Sequence, residues 1–392
     1  MKRVVVGLSG GVDSSIAAYL LKKQGYEVNG LFMKNWDDQQ GVLTSNCHWE
    51  DDFMFAEMTA GKLGIPLHFV DFSSEYRERV VNYMFAEYKR GRTPNPDILC
   101  NREVKFDLFA REAEKLGSDY IATGHYCKKK TTKVNGKTIH SLFAGEDENK
   151  EQSYFLCQIS QEQLGKALFP LGSLYKTRVR DQARALGLAT ADRKDSQGIC
   201  FVGKVDLPEF LKQKLAPKKG NIIQIAAESV MDQQPGSGSG KDLSLLCQAF
   251  DFGKIEGKKV GEHNGAHFFT IGQRKGLNVG GTKEPLYVLA TDTENNIVYV
   301  GEGQNHPGLY RKGLFISRPD MHWIRNDLQM ETGEERTMYF RIRYRQPLQK
   351  GRLIMKEQGA YILFDEPQRG ITPGQFAAWY VDGELLGSGV IS

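Results

Sequence analysis

A chain of 392 residues is too long for one ordinary hydrophobic core and, at roughly 150 residues per domain, divides into about two or three. Hydrophobic residues at 40% and charged residues at 26% exclude a mainly disordered chain, and a formal charge of only +4 means that any polyanion must be met by local basic patches. Six scattered cysteines without a Cys-x-x-Cys pair argue against a zinc module or a secreted disulfide framework, so the expected compartment is a reducing cytoplasm. No run of about 18 apolar residues occurs, and the opening apolar run is broken at Gly7 to Gly11, so neither a membrane span nor a signal peptide is expected.

In chain order, the β-branched run Val4-Val5-Val6 is followed by Ser9-Gly10-Gly11 and then by Ile16, Ala17, Leu20 and Leu21 at helical spacing. Gly25 closes that helix, and a second apolar run over 28–33 completes a β-α-β unit that favours a parallel sheet. Helices are predicted over 52–63, 74–89 and 104–116, with strands over 67–72 and 120–123. Residues 1–204 therefore read as a doubly wound α/β catalytic domain. A helical piece over 207–214 and Pro217-Lys218-Lys219-Gly220 mark a boundary, and a Gly/Ser-rich surface loop is expected over 228–241. Short strands are predicted over 285–290, 297–300, 336–344, 352–356, 361–364 and 376–381, with turns at Asn295-Asn296 and Asp382-Gly383. The expectation is a small mainly-β central domain over 205–284 and a C-terminal β-barrel over 285–392.

The strongest chemical signal is Ser9-Gly10-Gly11-Val12-Asp13-Ser14-Ser15 at a strand-helix junction. Glycines admit phosphate oxygens to the backbone, serine hydroxyls add donors, and the start of a helix favours an anion. No Lys-Ser or Lys-Thr follows, so this is not a Walker A loop. In Thr93-Pro94-Asn95-Pro96-Asp97-Ile98-Leu99-Cys100-Asn101-Arg102 two prolines predict a stiff loop that sets an acid and a thiol three residues apart. In one reading Arg92, Arg102 or Lys105 would favour the thiolate there and Asp97 would move a proton; taken alone, the segment reads equally as a rigid connector with a buried cysteine. A second thiol follows in Asp195-Ser196-Gln197-Gly198-Ile199-Cys200-Phe201; two thiols at one site permit sulfur transfer, with one resolving a persulfide on the other.

The glycine loop resembles the pyrophosphate (PP) loop of ATP pyrophosphatases, which adenylate a substrate oxygen and release pyrophosphate. The resemblance implies ATP, with Asp13 helping to hold Mg2+. Together the three motifs resemble the bacterial-type tRNA-specific 2-thiouridylases. The match continues through Gly124-His125-Tyr126, Lys150-Glu151-Gln152-Ser153-Tyr154-Phe155-Leu156, Gly272-Gln273-Arg274-Lys275-Gly276-Leu277, Arg343-Tyr344-Arg345-Gln346 and Thr372-Pro373-Gly374-Gln375. This resemblance implies ATP-dependent 2-thiolation of the tRNA wobble uridine. It places ATP on Gly7, Leu8, Ser9, Gly10, Gly11, Val12, Asp13 and Ser14, with Met33 and Gly124 around adenine and ribose. It makes Cys100 the nucleophile, Cys200 the persulfide carrier and Asp97 a general acid/base. Asn95, Pro96 and Asp97 would frame the target base, and His125, Lys150, Glu151, Gln152, Tyr344, Arg345 and Gln375 would touch tRNA. The implied partners are tRNA and a persulfide sulfur donor.

Local charge agrees with an RNA partner: residues 311–352 hold ten Lys/Arg against five Asp/Glu. On a strand over 336–344, Arg341, Arg343 and Arg345 would share one face, opposite Phe340, Ile342 and Tyr344. Two rival readings keep the ATP loop. One gives the attack to nitrogen, which would make both cysteines dispensable. The other is a tRNA-binding module that holds ATP without consuming it.

Overall fold

In the computed structural model the described residues are 1–36, 49–195, 207–231 and 242–392. The first domain contains strands β1 (Arg3–Gly7), β2 (Glu27–Lys34), β3 (Leu67–Asp71) and β4 (Tyr120–Ala122), a hairpin of β5 (Cys127–Val134) and β6 (Lys137–Ala144), and the short β7 (Ala167–Leu168). Five of these form an all-parallel sheet of order β3-β2-β1-β4-β7. Val4, Val5 and Val6 are all fully buried because both faces are covered, as a central parallel strand requires. Val5 packs with Met33, Tyr76 and Phe109 on one face. Val4 and Val6 pack with Ile16, Ala17 and Leu21 on the other.

The longer helices of the first domain are α1 (Val12–Lys23), α2 (Trp49–Leu63), two composite runs α3 (73–89) and α4 (96–115), and α5 (Lys176–Ala185). The predicted helix over 104–116 in fact starts at Pro96, so Asp97 and Cys100 are helical and do not stand in a loop. Asn95 explains the early start: its side-chain oxygen accepts the Ile98 N–H (3.3 Å), and Pro96 supplies the fixed φ of a first helical turn. Directly after Cys100 the run widens into a π-helical stretch, Asn101–Leu108, a form found often at functional sites.

The middle unit is a four-stranded sheet of β8 (Gly220–Gln224), β9 (Lys258–His263), β10 (Leu286–Asp292) and β11 (Ile297–Glu302) in the order β10-β11-β8-β9. Residues 286–302 thus pair with strands on the near side of the expected boundary at 285. The third unit is built from β12 (Tyr310–Ser317), β13 (Met321–Trp323), β14 (Glu335–Arg341), β15 (Gln349–Lys356), β16 (Gly359–Arg369), β17 (Phe376–Val381) and β18 (Glu384–Val390). Its sheet continues into the first domain, because β18 pairs with β6 at Glu384 with Phe143 and Leu385 with Leu142. Asp382 and Gly383 both have positive φ, as the predicted hairpin turn needs.

The strand expected over 336–344 stops at Arg341. The Gln346 side chain accepts the Ile342 N–H (3.0 Å), and Arg345 turns into the left-handed region at φ +61°, so Arg341, Arg343 and Arg345 do not share a strand face. The Gly/Ser-rich stretch over 232–241 lies outside the described residues.

Candidate active site

The loop between β1 and α1 has the geometry of an anion cradle. Gly10 sits at φ +70°, where a Cβ would run into the Asp52 carbonyl oxygen, so only glycine fits. Gly11 is the N-cap of α1 and contributes no side-chain cap, which leaves the first N–H groups and the helix dipole for an anion. Ser9 is exposed at the mouth. Ser14 and Ser15 instead shape the loop, since both hydroxyls donate to the Gly11 carbonyl (3.0 and 2.9 Å). Gly7, Met33 and Phe109 of α4 meet behind the loop, and a Cβ on Gly124 would lie only 2.9 Å from that of Asp13. The residues expected around the nucleotide are therefore brought together.

Asp13 is engaged by a group that sequence reasoning missed. Lys176, at the start of α5 and only 8% exposed, donates to both Asp13 oxygens (2.7 Å each), and the Tyr126 hydroxyl donates to Oδ1 (2.7 Å). Burial first, and then Asp13, push the Tyr126 phenol well above its ordinary range, so it stays a donor. Lys176 also reaches Asp195 (2.8 Å), which in turn takes Lys150 (2.5 Å) and Arg180 (2.8 Å). Burial pushes the Asp195 carboxyl up, but the hydrogen bonds from Lys150 and Lys176 outweigh it and hold it at about 2. Magnesium demands near-octahedral oxygen ligation at about 2.0–2.1 Å. With an ammonium on both of its oxygens, Asp13 does not fit the magnesium role expected of it, and among the described residues no group of three or more His, Cys, Asp or Glu is placed to hold a metal.

The residues ahead of Cys200 are laced to this loop. The Thr190 hydroxyl donates to Ser15 Oγ (3.1 Å), and Arg193 donates to the Gly10 carbonyl (2.8 Å) while pairing with Asp52 (2.7 Å). Asp195 closes the series through Lys176. Cys200, with the rest of 196–206, and Cys47 lie outside the described residues.

Cys100 is fully buried on α4. Two of the three cations expected to activate it are engaged with other groups: Arg102 pairs with Glu103 (2.7 Å) and Gln158 (3.0 Å), and Arg92 with Glu87 (2.9 Å). The approach to α4 is gripped by the third unit. Thr93 N–H donates to the Pro373 carbonyl (2.9 Å), and Gln375 Nε2 donates to the Thr93 and Pro94 carbonyls (2.8 and 3.2 Å). Asn95 donates to Gln375 Oε1 (3.4 Å), so the base-framing segment and Gln375, 280 residues apart, form one cluster.

The other expected RNA contacts separate into two groups. His125 is 8% exposed, set between Phe106 and Phe169 with Nδ1 2.8 Å from Thr123 Oγ1. Burial, helped by Lys105, drives its pKa well down, so it is neutral. Glu151, 6% exposed, is ion-paired with Arg341 and accepts the Ser153 N–H, while Gln152 bonds the Tyr126 N–H (3.1 Å) and Lys150 is taken by Asp195. Glu151 thus ties the first domain to the third unit, while Gln152 and Lys150 tie segments of the first domain to each other. Arg345 is exposed, its guanidinium 5.2 Å from the Tyr344 ring, and that ring lies 4.4 Å from Phe155. Asn101, next to Cys100, donates to the Phe155 carbonyl (3.0 Å), so the stack leads from the surface to the helix that carries Cys100. Phe155 stands within a quoted motif, yet no spacing rule marks it or Lys176, because both act through contacts remote in sequence.

Comparison with known proteins places the chain among RNA-modifying enzymes. Residues 2–204 match the family described as the tRNA methyl transferase HUP domain, 248–302 the tRNA methyl transferase PRC-barrel domain, and 312–391 the aminomethyltransferase beta-barrel domain. The chain is 57% identical over 395 residues to the tRNA-specific 2-thiouridylase MnmA of Flavobacterium johnsoniae, and equally so to that of Christiangramia forsetii, with all of each chain covered. To the enzyme of the same name from Karelsulcia muelleri it is 46% identical over 391 residues, covering 100% of this chain and 99% of the relative.

Proposed function

Because this chain belongs to the tRNA-specific 2-thiouridylase family, we propose that it uses ATP to activate the 2-oxygen of a tRNA wobble uridine and replaces that oxygen with sulfur carried on a cysteine. It is a tRNA-uridine 2-sulfurtransferase. ATP lies along Gly7 to Ser14, its phosphates on the free helix start and its adenosine between Met33 and Gly124. The uridine oxygen attacks the α-phosphorus, and pyrophosphate leaves with the electron pair of the broken bond. AMP is then the leaving group that the carbonyl oxygen alone would not be.

The outer sulfur of a persulfide on Cys200 attacks the ring carbon and expels AMP. The Cys100 thiolate attacks the inner Cys200 sulfur, which frees the thiocarbonyl and leaves a Cys100-Cys200 disulfide for cellular thiols to reduce. Asp97, one turn before Cys100, carries the thiol proton away. Since Cys100 is fully buried, the start of α4 must move when the RNA binds, and its grip by Gln375 at Thr93, Pro94 and Asn95 supplies the handle. The turned-out base approaches along Arg345, Tyr344 and Phe155, a stack that suits a nucleobase. A persulfide-bearing protein loads Cys200, and among the described residues no helix is long and apolar enough to cross a membrane.

One observation supports this reading above the others: the stretch 190–195 is tied to the nucleotide loop at Ser15, Gly10 and Asp13, and Cys200 stands five residues beyond it. The test is mass spectrometry of tRNA nucleosides after incubation with ATP, magnesium and a persulfide source. The expected product is 2-thiouridine at the wobble position. Its absence with active donor and correct tRNA would overturn the reading.

A further inference from the structure

We propose that Lys176 is the positioning residue of the Asp13 carboxylate and fills the place a divalent cation would take there, so that magnesium enters only on the phosphates of the nucleotide. The inference rests on the reading of ATP use above.

Three hydrogen bonds from two groups reach Asp13: the Lys176 ammonium at 2.7 Å from each oxygen and the Tyr126 hydroxyl at 2.7 Å from Oδ1. An ionised carboxylate has about four lone-pair sites, so little remains for a metal. The ammonium is held from its far side as well. Asp195 accepts it at 2.8 Å and is itself anchored by Lys150 and Arg180. Lys176 has limited freedom to leave, being 8% exposed, with its backbone N–H bonded to Asp147 (2.9 Å). The position has an electrostatic logic. A lysine in the first turn opposes its own helix dipole, an arrangement that the two flanking carboxylates offset. Lys176, Lys150 and Arg180 stand against Asp13, Asp195 and Asp147, so the cluster is balanced in charge beside the loop that receives polyphosphate. Without Lys176, Asp195 would keep Lys150 and Arg180, but Asp13 would keep the Tyr126 hydroxyl and no ammonium as it faced the incoming phosphates.

The experiment uses manganese alone as the probe, with the full chain and no nucleotide, read by loss of the free-ion EPR signal. Wild type is expected to bind no more Mn2+ than Asp13→Asn; a site in wild type that Asp13→Asn abolishes would overturn the proposal. In steady-state assays Lys176→Met is expected to raise the KM for ATP about tenfold, the order of a lost charged hydrogen bond, with kcat changed far less, and Lys176→Arg to recover most of the loss. An unchanged KM in Lys176→Met would also overturn it. Should Lys176→Met fail to fold, the wild-type and Asp13→Asn comparison still decides. The manganese measurement involves neither tRNA nor thiolation, so a failure to make 2-thiouridine would refute the proposed function without touching this result.

Discussion

Removing the Glu151 carboxylate separates a structural role from an RNA-binding one. Glu151 and Arg341 form an ion pair across the junction of the first and third units, both largely withdrawn from water, and Glu151 also accepts the Ser153 N–H. Glu151→Ala leaves a guanidinium in a low-dielectric setting with the Tyr380 ring, 5.7 Å away, as partial compensation. Breaking one side of such a pair costs about 3–5 kcal/mol, since the remaining charge is buried without its partner. Urea unfolding followed by the fluorescence of Trp323 and Trp379, which pack 5.2 Å apart in the third unit, reads this loss. Arg341→Met and the double variant complete a thermodynamic cycle, with a coupling expected at about 2 kcal/mol or more. If Glu151→Ala instead unfolds within about 1 kcal/mol of wild type and weakens tRNA binding, the structural assignment of Glu151 is refuted.

Gly10→Ala is expected to lose at least about tenfold in ATP affinity by calorimetry, because the left-handed backbone costs an L-residue about 1–2 kcal/mol and the new methyl meets the Asp52 carbonyl; unchanged affinity would contradict the cradle. Burial pushes Cys157 and Cys247 up to about 12 and Cys127 well above its ordinary value, so alkylation at pH 7.5 is expected to spare all three in the native protein and label them in denaturant, as mass spectrometry would show. Asp195 has a folded pKa of about 2 against an ordinary 3.8, so its contribution to stability is full above about pH 4 and disappears as pH falls through about 2. Asp195→Asn removes that contribution, and acid titration followed by circular dichroism is expected to show a shallower limb in this window than wild type; an unchanged limb would contradict the assignment.

The parallel sheet was legible because Val4, Val5 and Val6 form a run that only a strand buried on both faces tolerates. The nucleotide loop was legible because Gly10 and Gly11 answer a backbone demand that is local in sequence. The start of α4 was misplaced because Pro94 and Pro96 were both given to a loop, whereas Asn95 caps a helix with Pro96 in its first turn. Strand continuation past Arg341 was inferred from alternation alone, which does not reveal that Gln346 folds back onto Ile342. Asp13 and Lys176 are 163 residues apart, and nothing in the spacing of either shows that they meet. For the same reason the spacing does not reveal the partners of Glu151 and Gln375, Arg341 and the Thr93 carbonyl.

The central claim is that ATP activation and sulfur delivery are distinct steps at one place, the second requiring both Cys100 and Cys200. Its most direct test is to follow pyrophosphate release and 2-thiouridine formation together in Cys200→Ser and Cys100→Ser, with tRNA, ATP and a persulfide source. Cys200→Ser is expected still to release pyrophosphate in a tRNA-dependent manner, while neither variant forms 2-thiouridine. Thiolated uridine at the wild-type rate from either variant would contradict the claim.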